Sequence, residues 1–244
     1  MKSLKNYRNE EKTMQKSLNY LLEKYSVSSA ATLSECGGRV VIDGEDIELL
    51  PYESERRFIE LRGLVKNGRV GNMCTYRIGH TAPRGTDLMK LLRREAGIVE
   101  FTVDSKIKEV FAIAGGSAMN CILETENGCV CTLELAATLE EGASHIDKHE
   151  IITDAGVACD RVVDTQVPQS SVYVFGKREV TYTDTDAELY GHSECEINRI
   201  RNAFMLAKTP AARAEYKAKE KHLDAVIRAA EASLAGLENV KVEG

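Results

Sequence analysis

From Lys108 to Thr183 the chain is built of short apolar runs broken by turn residues, and this succession constrains the fold more than any other feature. Strands are expected at Lys108 to Ile113, Met119 to Thr125, Cys129 to Ala137, Glu150 to Thr153, Val157 to Asp160, Ser171 to Phe175 and Val180 to Thr183. The separators are Glu126-Asn127-Gly128, Asp154-Ala155-Gly156 and Gly176-Lys177-Arg178. Asn and Gly both tolerate positive φ, so Asn127-Gly128 is a strong hairpin signal. Strands joined by such turns make a meander, chiefly antiparallel.

Helical periods lie outside this region. Met14, Leu18, Leu21, Leu22 and Tyr25 mark one amphipathic helix, followed by Gly37-Gly38, a short strand Arg39 to Ile42 and the turn Asp43-Gly44. A helix after Tyr52 turns Phe58, Leu61 and Val65 inward and stops at Asn67-Gly68, with a strand from Val70 to Ile78 beyond it. Thr86 is expected to cap a helix carrying Leu88, Leu91 and Leu92, ended by Gly97 and followed by a strand from Val99 to Val103. Ser193 and Glu196 form a capping box for a helix with Ile197, Ile200, Phe204 and Ala207, which Pro210 terminates. A last helix runs from Ala211 to Leu234. Strands grouped together, with helices apart from them, define an α+β fold: a mostly antiparallel open sheet with helices on one face. Residues 1–50 read as an N-terminal helix and short extension, and 51–244 as the α+β domain.

Charge and composition exclude several classes. The net charge is −6, from 38 acidic and 32 basic residues mixed along the chain, so no basic face offers counterion release to nucleic acid. Apolar stretches such as Val110 to Ala114 and Leu133 to Leu139 are too short to cross a bilayer, and Met1 precedes a polar segment, so no membrane contact and a cytoplasmic location are expected. The seven cysteines are odd in number and lack paired C-x-x-C motifs, which suits reduced thiols. Cys129 and Cys131 would share a strand face, a placement that could suit a metal but reads first as small buried apolar groups.

Three segments carry a resemblance. They are Arg57 to Leu61 through Val65-Lys66-Asn67-Gly68-Arg69-Val70-Gly71, Gly85-Thr86-Asp87-Leu88-Met89-Lys90-Leu91-Leu92, and Ile122 to Val130. In that order they resemble the C-terminal, non-nucleotide domain of the Gfo/Idh/MocA oxidoreductases, over roughly residues 55 to 235. Two departures accompany the match. Only about 50 residues precede the matching region and contain no G-x-G-x-x-G, whereas a dinucleotide fold needs several βαβ units, so no complete Rossmann domain and no bound cofactor are expected. The family's Glu-Lys-Pro motif, source of a catalytic lysine, is missing as well. Aligning Asp87 with the family's helix-start aspartate places Arg84 where its catalytic histidine stands, four residues after His80.

The resemblance implies that His80, Arg84 and Asp87, in a loop around Pro83, face a substrate. His80 is the candidate catalytic acid or base and Arg84 a ligand for a carboxylate or sugar hydroxyls, while Asp87 equally serves as a helix cap. His145, His149 and Glu150 would ligate a metal only on a helix. The extended run at Glu150 argues against one, so no metal is expected and His149 is read as a sugar-contacting or structural histidine. Arg161, Gln166 and Gln169 lie in a polar loop between strands whose chemistry suits a polyol, or merely satisfies a surface crossover. Tyr182 to Asp186 lacks the glycine and glutamate of a calcium loop. By resemblance the chain is an accessory or oligomerising subunit, a homo-oligomer or the partner of a full-length oxidoreductase. The alternatives are an autonomous enzyme on a sugar or sugar acid, with His80 or His149 as base, and a small-molecule sensor.

Overall fold

The computed structural model describes residues 13–69, 71–160 and 191–243, together with the strand backbones at 171–175 and 180–183. In chain order the first elements are α1 (Met14–Lys24), β1 (Ala31–Leu33), β2 (Arg39–Ile42), β3 (Glu45–Glu48), a 3-10 turn (Pro51–Ser54), α2 (Arg56–Lys66) and β4 (Met73–Pro83). Next come α3 (Leu88–Val103), β5 (Ile107–Gly115), β6 (Ala118–Thr125), β7 (Val130–Leu139), β8 (Ile146–Thr153) and β9 (Gly156–Cys159). The remainder is β10 (Ser171–Phe175), β11 (Val180–Thr183), α4 (Glu194–Lys208), α5 (Ala211–Gly236) and β12 (Val240–Lys241). They divide into two compact units, residues 1–54 with 185–218, and 55–184 with 219–244.

In the first unit β1, β2 and β3 form an antiparallel sheet, and Asp43 and Gly44 turn β2 into β3 with φ of 51° and 86°. The expected capping box opens α4, where the Ser193 hydroxyl accepts from the Glu196 amide and the Glu196 carboxylate accepts from the Ser193 amide. Leu18, Val40, Ile42, Ile47, Ile200 and Leu206 make the core. Asn202 is buried among them, accepting from the Leu50 amide at 2.9 Å and donating to the Tyr216 hydroxyl at 2.7 Å. A buried amide satisfied on both sides stabilises the arrangement instead of opposing it.

The second unit is a nine-stranded open sheet in the order β11-β10-β9-β8-β4-β7-β6-β5-β12. Every neighbouring pair is antiparallel except β4 with β7 at its centre. The hairpin between β6 and β7 turns at Gly128, with φ of 85°. Helix α3 packs on β7, β4 and β6, and α2 packs on α3. Alternation sends Tyr76, Ile78, His80 and Ala82 of β4 inward, with Met119, Cys121 and Leu123 of β6 and Cys131, Leu133 and Leu135 of β7. The sulfurs of Cys129 and Cys131 lie 3.7 Å apart, both buried, on the shared face that their spacing implied.

Three expectations are corrected. Gly97 does not end α3, and Val99–Val103 is its last turn, not a strand. The reason is an inward stripe at Leu92, Ala96, Val99 and Val103, whose burial outweighs the roughly 1 kcal/mol that a mid-helix glycine costs. The cap of α3 is Asp87, which accepts from the Met89 amide, whereas the Thr86 hydroxyl donates to the Pro83 carbonyl. In α2, Leu64 takes the buried position expected for Val65. Among the described residues no helix is long and apolar enough to cross a membrane.

Candidate functional site

Polar groups are concentrated where α2 and α3 meet the inner face of β4 and β8. His80 lies opposite Asp147 across the β4–β8 ladder, and His149 lies opposite Ile78. Period-two alternation therefore points His80, Asp147 and His149 toward the helices. Glu95, one turn after Leu91 and Leu92, comes down onto them from α3, and Arg57 does so from the first turn of α2. Asp160 follows β9 directly.

The groups form a continuous network. Arg57 grips Asp147 through both terminal nitrogens at 2.8 Å each, and its Nη1 also donates to Asp160 Oδ2 at 2.9 Å. The Arg57 Nε donates to Glu55, the residue preceding α2. His149 Nδ1 lies 2.7 Å from Asp160 Oδ2, and its Nε2 lies 2.8 Å from Glu95 Oε2. Glu95 Oε1 is bonded by Arg94 and sits 2.7 Å from His80 Nδ1. His80 Nε2 faces His145 Nδ1 at 2.9 Å. The result is a chain, Asp160–His149–Glu95–His80–His145, buried along its length except at His145.

Buried charges persist only when paired, and the pairing fixes their protonation. Burial alone would push His149 down, but Asp160 and Glu95 on its two ring nitrogens lift it to about 10. Burial would likewise raise Glu95 and Asp147, yet Arg94 with His149, and Arg57 with His149, hold both well below the usual carboxylate range. The raised histidine contributes stability that is complete below about pH 6.5 and is lost as pH climbs through about 10. The depressed carboxylates contribute stability present above their unfolded values and lost in acid. Urea unfolding is therefore expected to weaken steadily from pH 7 to 10, by at most about 1.4 kcal/mol per pH unit from this one group. His149→Gln removes that slope, and an equal slope in the variant would assign it elsewhere.

Of the residues singled out in the sequence, His80 and His149 are brought together through Glu95. His80 stands in β4, 2% exposed, and not in a loop, because the strand continues to Pro83. Arg84 and Asp87 are exposed on the turn into α3, where the Arg84 amide donates to the Leu139 carbonyl. Glu150 points away from His149 and pairs with Lys148. Arg161, Gln166 and Gln169 lie outside the described residues. Sequence reasoning missed Arg57, Arg94, Glu95, Asp147 and Asp160. Their signal was a charged residue on an inward period: Arg57 shares the stripe of Leu61 and Leu64, and Asp147 and His149 alternate with Ile151.

Among the described residues, two sets of donors stand close enough to share a cation, His80 with Glu95 and Asp147, and Asp147 with His149 and Asp160. In the second, Arg57 Nη1 bonds both aspartates and already supplies the positive charge.

This open sheet, with its single parallel pair and its helices, has the fold of oxidoreductases of the Gfo/Idh/MocA type. An oxidoreductase from Agrobacterium radiobacter, solved with NAD+, L-tartaric acid and magnesium, matches at 12% identity and a TM-score of 0.61, over 79% of this chain and 63% of its own. Levoglucosan dehydrogenase with NADH and levoglucosan matches at 13% identity and a TM-score of 0.62, over 79% and 65%. An oxidoreductase domain protein from Kribbella flavida matches at 12% identity and a TM-score of 0.60, over 80% and 66%. The chain thus spans less than two thirds of each of these proteins, and at such identities the likeness is one of fold. No family model matches the chain, and no curated protein matches it.

Proposed function

We propose that this chain is a nucleotide-free relative of sugar and polyol oxidoreductases that acts in the cytoplasm as an oligomerising or accessory subunit, assembling through the open face of its sheet. The composition of that face carries the reading. Its cross-strand rows are Glu109, Glu124, Val130, Thr75 and Ile152, then Phe111, Ile122, Thr132, Arg77 and Glu150, then Ile113, Asn120, Glu134, Gly79 and Lys148. A fourth row, Gly115, Ala118, Ala136, Thr81 and Ile146, is of small and apolar residues. Ile113, Ile122, Val130 and Ile146 are each more than two-fifths exposed, and the charges between them include the opposed pair Arg77 with Glu134. Four rows over five strands measure roughly 650 Å² at ordinary strand spacings, so two copies face to face would bury about 1,300 Å², within the range of stable interfaces.

The state of His80 supports a non-catalytic role. A general base needs a free lone pair within reach of its substrate, whereas both ring nitrogens of His80 are engaged inside the fold. Neither NAD nor NADP is expected to bind the isolated chain, nor is either expected to be reduced in the presence of sugars or polyols, because no Gly-rich phosphate turn precedes a helix in the sequence. Calorimetric titration and an assay for reduced nicotinamide check this, and micromolar cofactor binding would overturn the reading.

A further inference from the structure

We propose that Cys129 and Cys131 are a reversible oxidation site, a dithiol that closes to a disulfide in response to hydroperoxides. The pair stands where the hairpin turn meets the sheet. Cys131 lies in β7 and Cys129 just before it, after the turn at Gly128, so two-residue alternation sends both side chains to the face covered by α3. Their sulfurs meet at 3.7 Å. Cys129 keeps 7% exposure at the end of the sheet, whereas Cys131 is fully buried beside it. One thiol is within reach of a small oxidant, and the other is placed to resolve it. The hydrogen bond with Cys131 holds the Cys129 thiol below its ordinary value, while burial pushes Cys121, on the neighbouring strand, up to about 12. Both sulfurs lie opposite the face proposed for assembly, so the reaction does not require it.

The chemistry takes two steps. The Cys129 sulfur attacks one peroxide oxygen, the O–O bond breaks, and the thiol proton leaves with the second oxygen as water, which makes a sulfenic acid of Cys129. The Cys131 sulfur then attacks the Cys129 sulfur, the S–O bond breaks, and the Cys131 proton leaves with that oxygen as a second water. Two thiols lose two electrons and the peroxide gains them. Closing the bond brings the sulfurs nearer by about 1.7 Å, to the usual S–S length of about 2.05 Å. Two residues of strand advance about 6.6–6.8 Å, the upper limit of Cα separation across a disulfide, so the chain must shorten slightly. Cys129 can supply this. It stands outside β7, and its amide is held by side-chain oxygens, Thr125 Oγ1 at 3.1 Å and Asn127 Oδ1 at 3.2 Å, instead of a ladder carbonyl. A bond closed at that limit is easily reduced again, which makes the site reversible.

The test treats the full-length chain with excess hydrogen peroxide, unfolds it in an alkylating reagent, digests it with trypsin and reads the peptide from Glu109 to Lys148, which holds Cys121, Cys129 and Cys131. Cys121 should be alkylated, with Cys129 and Cys131 joined, unalkylated and together about 2 Da lighter than two thiols until dithiothreitol reopens them. In Cys131→Ala the sulfenic acid of Cys129 should persist and be trapped by dimedone, and in Cys129→Ala the buried Cys131 should stay unoxidised. The parent peptide decides the matter even where Cys131→Ala does not fold. Alkylation of all three cysteines, a bond to Cys121, a sulfinic acid at Cys129 without a bond, or oxidation of Cys131 in Cys129→Ala would each overturn the assignment.

Discussion

Arg57→Met is expected to lower the unfolding free energy by about 3–5 kcal/mol, the cost of leaving a buried carboxylate without its counter-ion. The methionine fills much of the stem volume, so lost packing is a minor part of the effect. What disappears is the bidentate grip on Asp147 and the bond to Asp160, both inside a network closed from water. Asp147→Asn in the same background should restore part of the loss, because it removes one of the stranded charges. Urea denaturation at pH 7 measures both. A single-variant loss under about 1 kcal/mol would mean that water reaches these carboxylates in the native state.

The second large effect concerns assembly. Ile122→Arg is expected to weaken self-association by at least about a hundredfold, because a symmetric contact meets every new charge twice and like charges brought together cost several kcal/mol. Ile122 is 47% exposed and pairs across the sheet with Phe111 and Thr132, so the substitution removes no buried contact of the monomer. Thermal unfolding extrapolated to low concentration should match the parent chain, while sedimentation at tens of micromolar should show the variant as monomer. Unchanged association in Ile122→Arg would place the contact on another surface.

The strand pattern was readable because its determinants are local. Gly128 needs positive φ, Ser193 and Glu196 satisfy each other's amides, and alternation alone separates Leu133 and Leu135 from Glu134. The true length of α3 was less so, since Gly97 and the β-branched Val99 and Val103 each favour a break locally and only the sheet beneath them tips the balance toward helix. The parallel pairing of β4 with β7 is a long-range choice that no turn announces. The polar network was hidden for the same reason. Its members come from residues 55 to 160, each reads alone as a surface charge, and pairing becomes visible only once β4, β8 and α3 are side by side. His80 and His149 were picked out for their chemistry, whereas the carboxylates that hold them needed the fold.

The most direct measurement of the proposed role is the mass of the pure, full-length chain by light scattering coupled to size exclusion, at tens of micromolar and with no other protein present. A mass of two or more chains of 26.9 kDa, falling to one in Ile122→Arg, is the predicted result. A strictly monomeric parent chain under the same conditions would contradict self-assembly through the open sheet face.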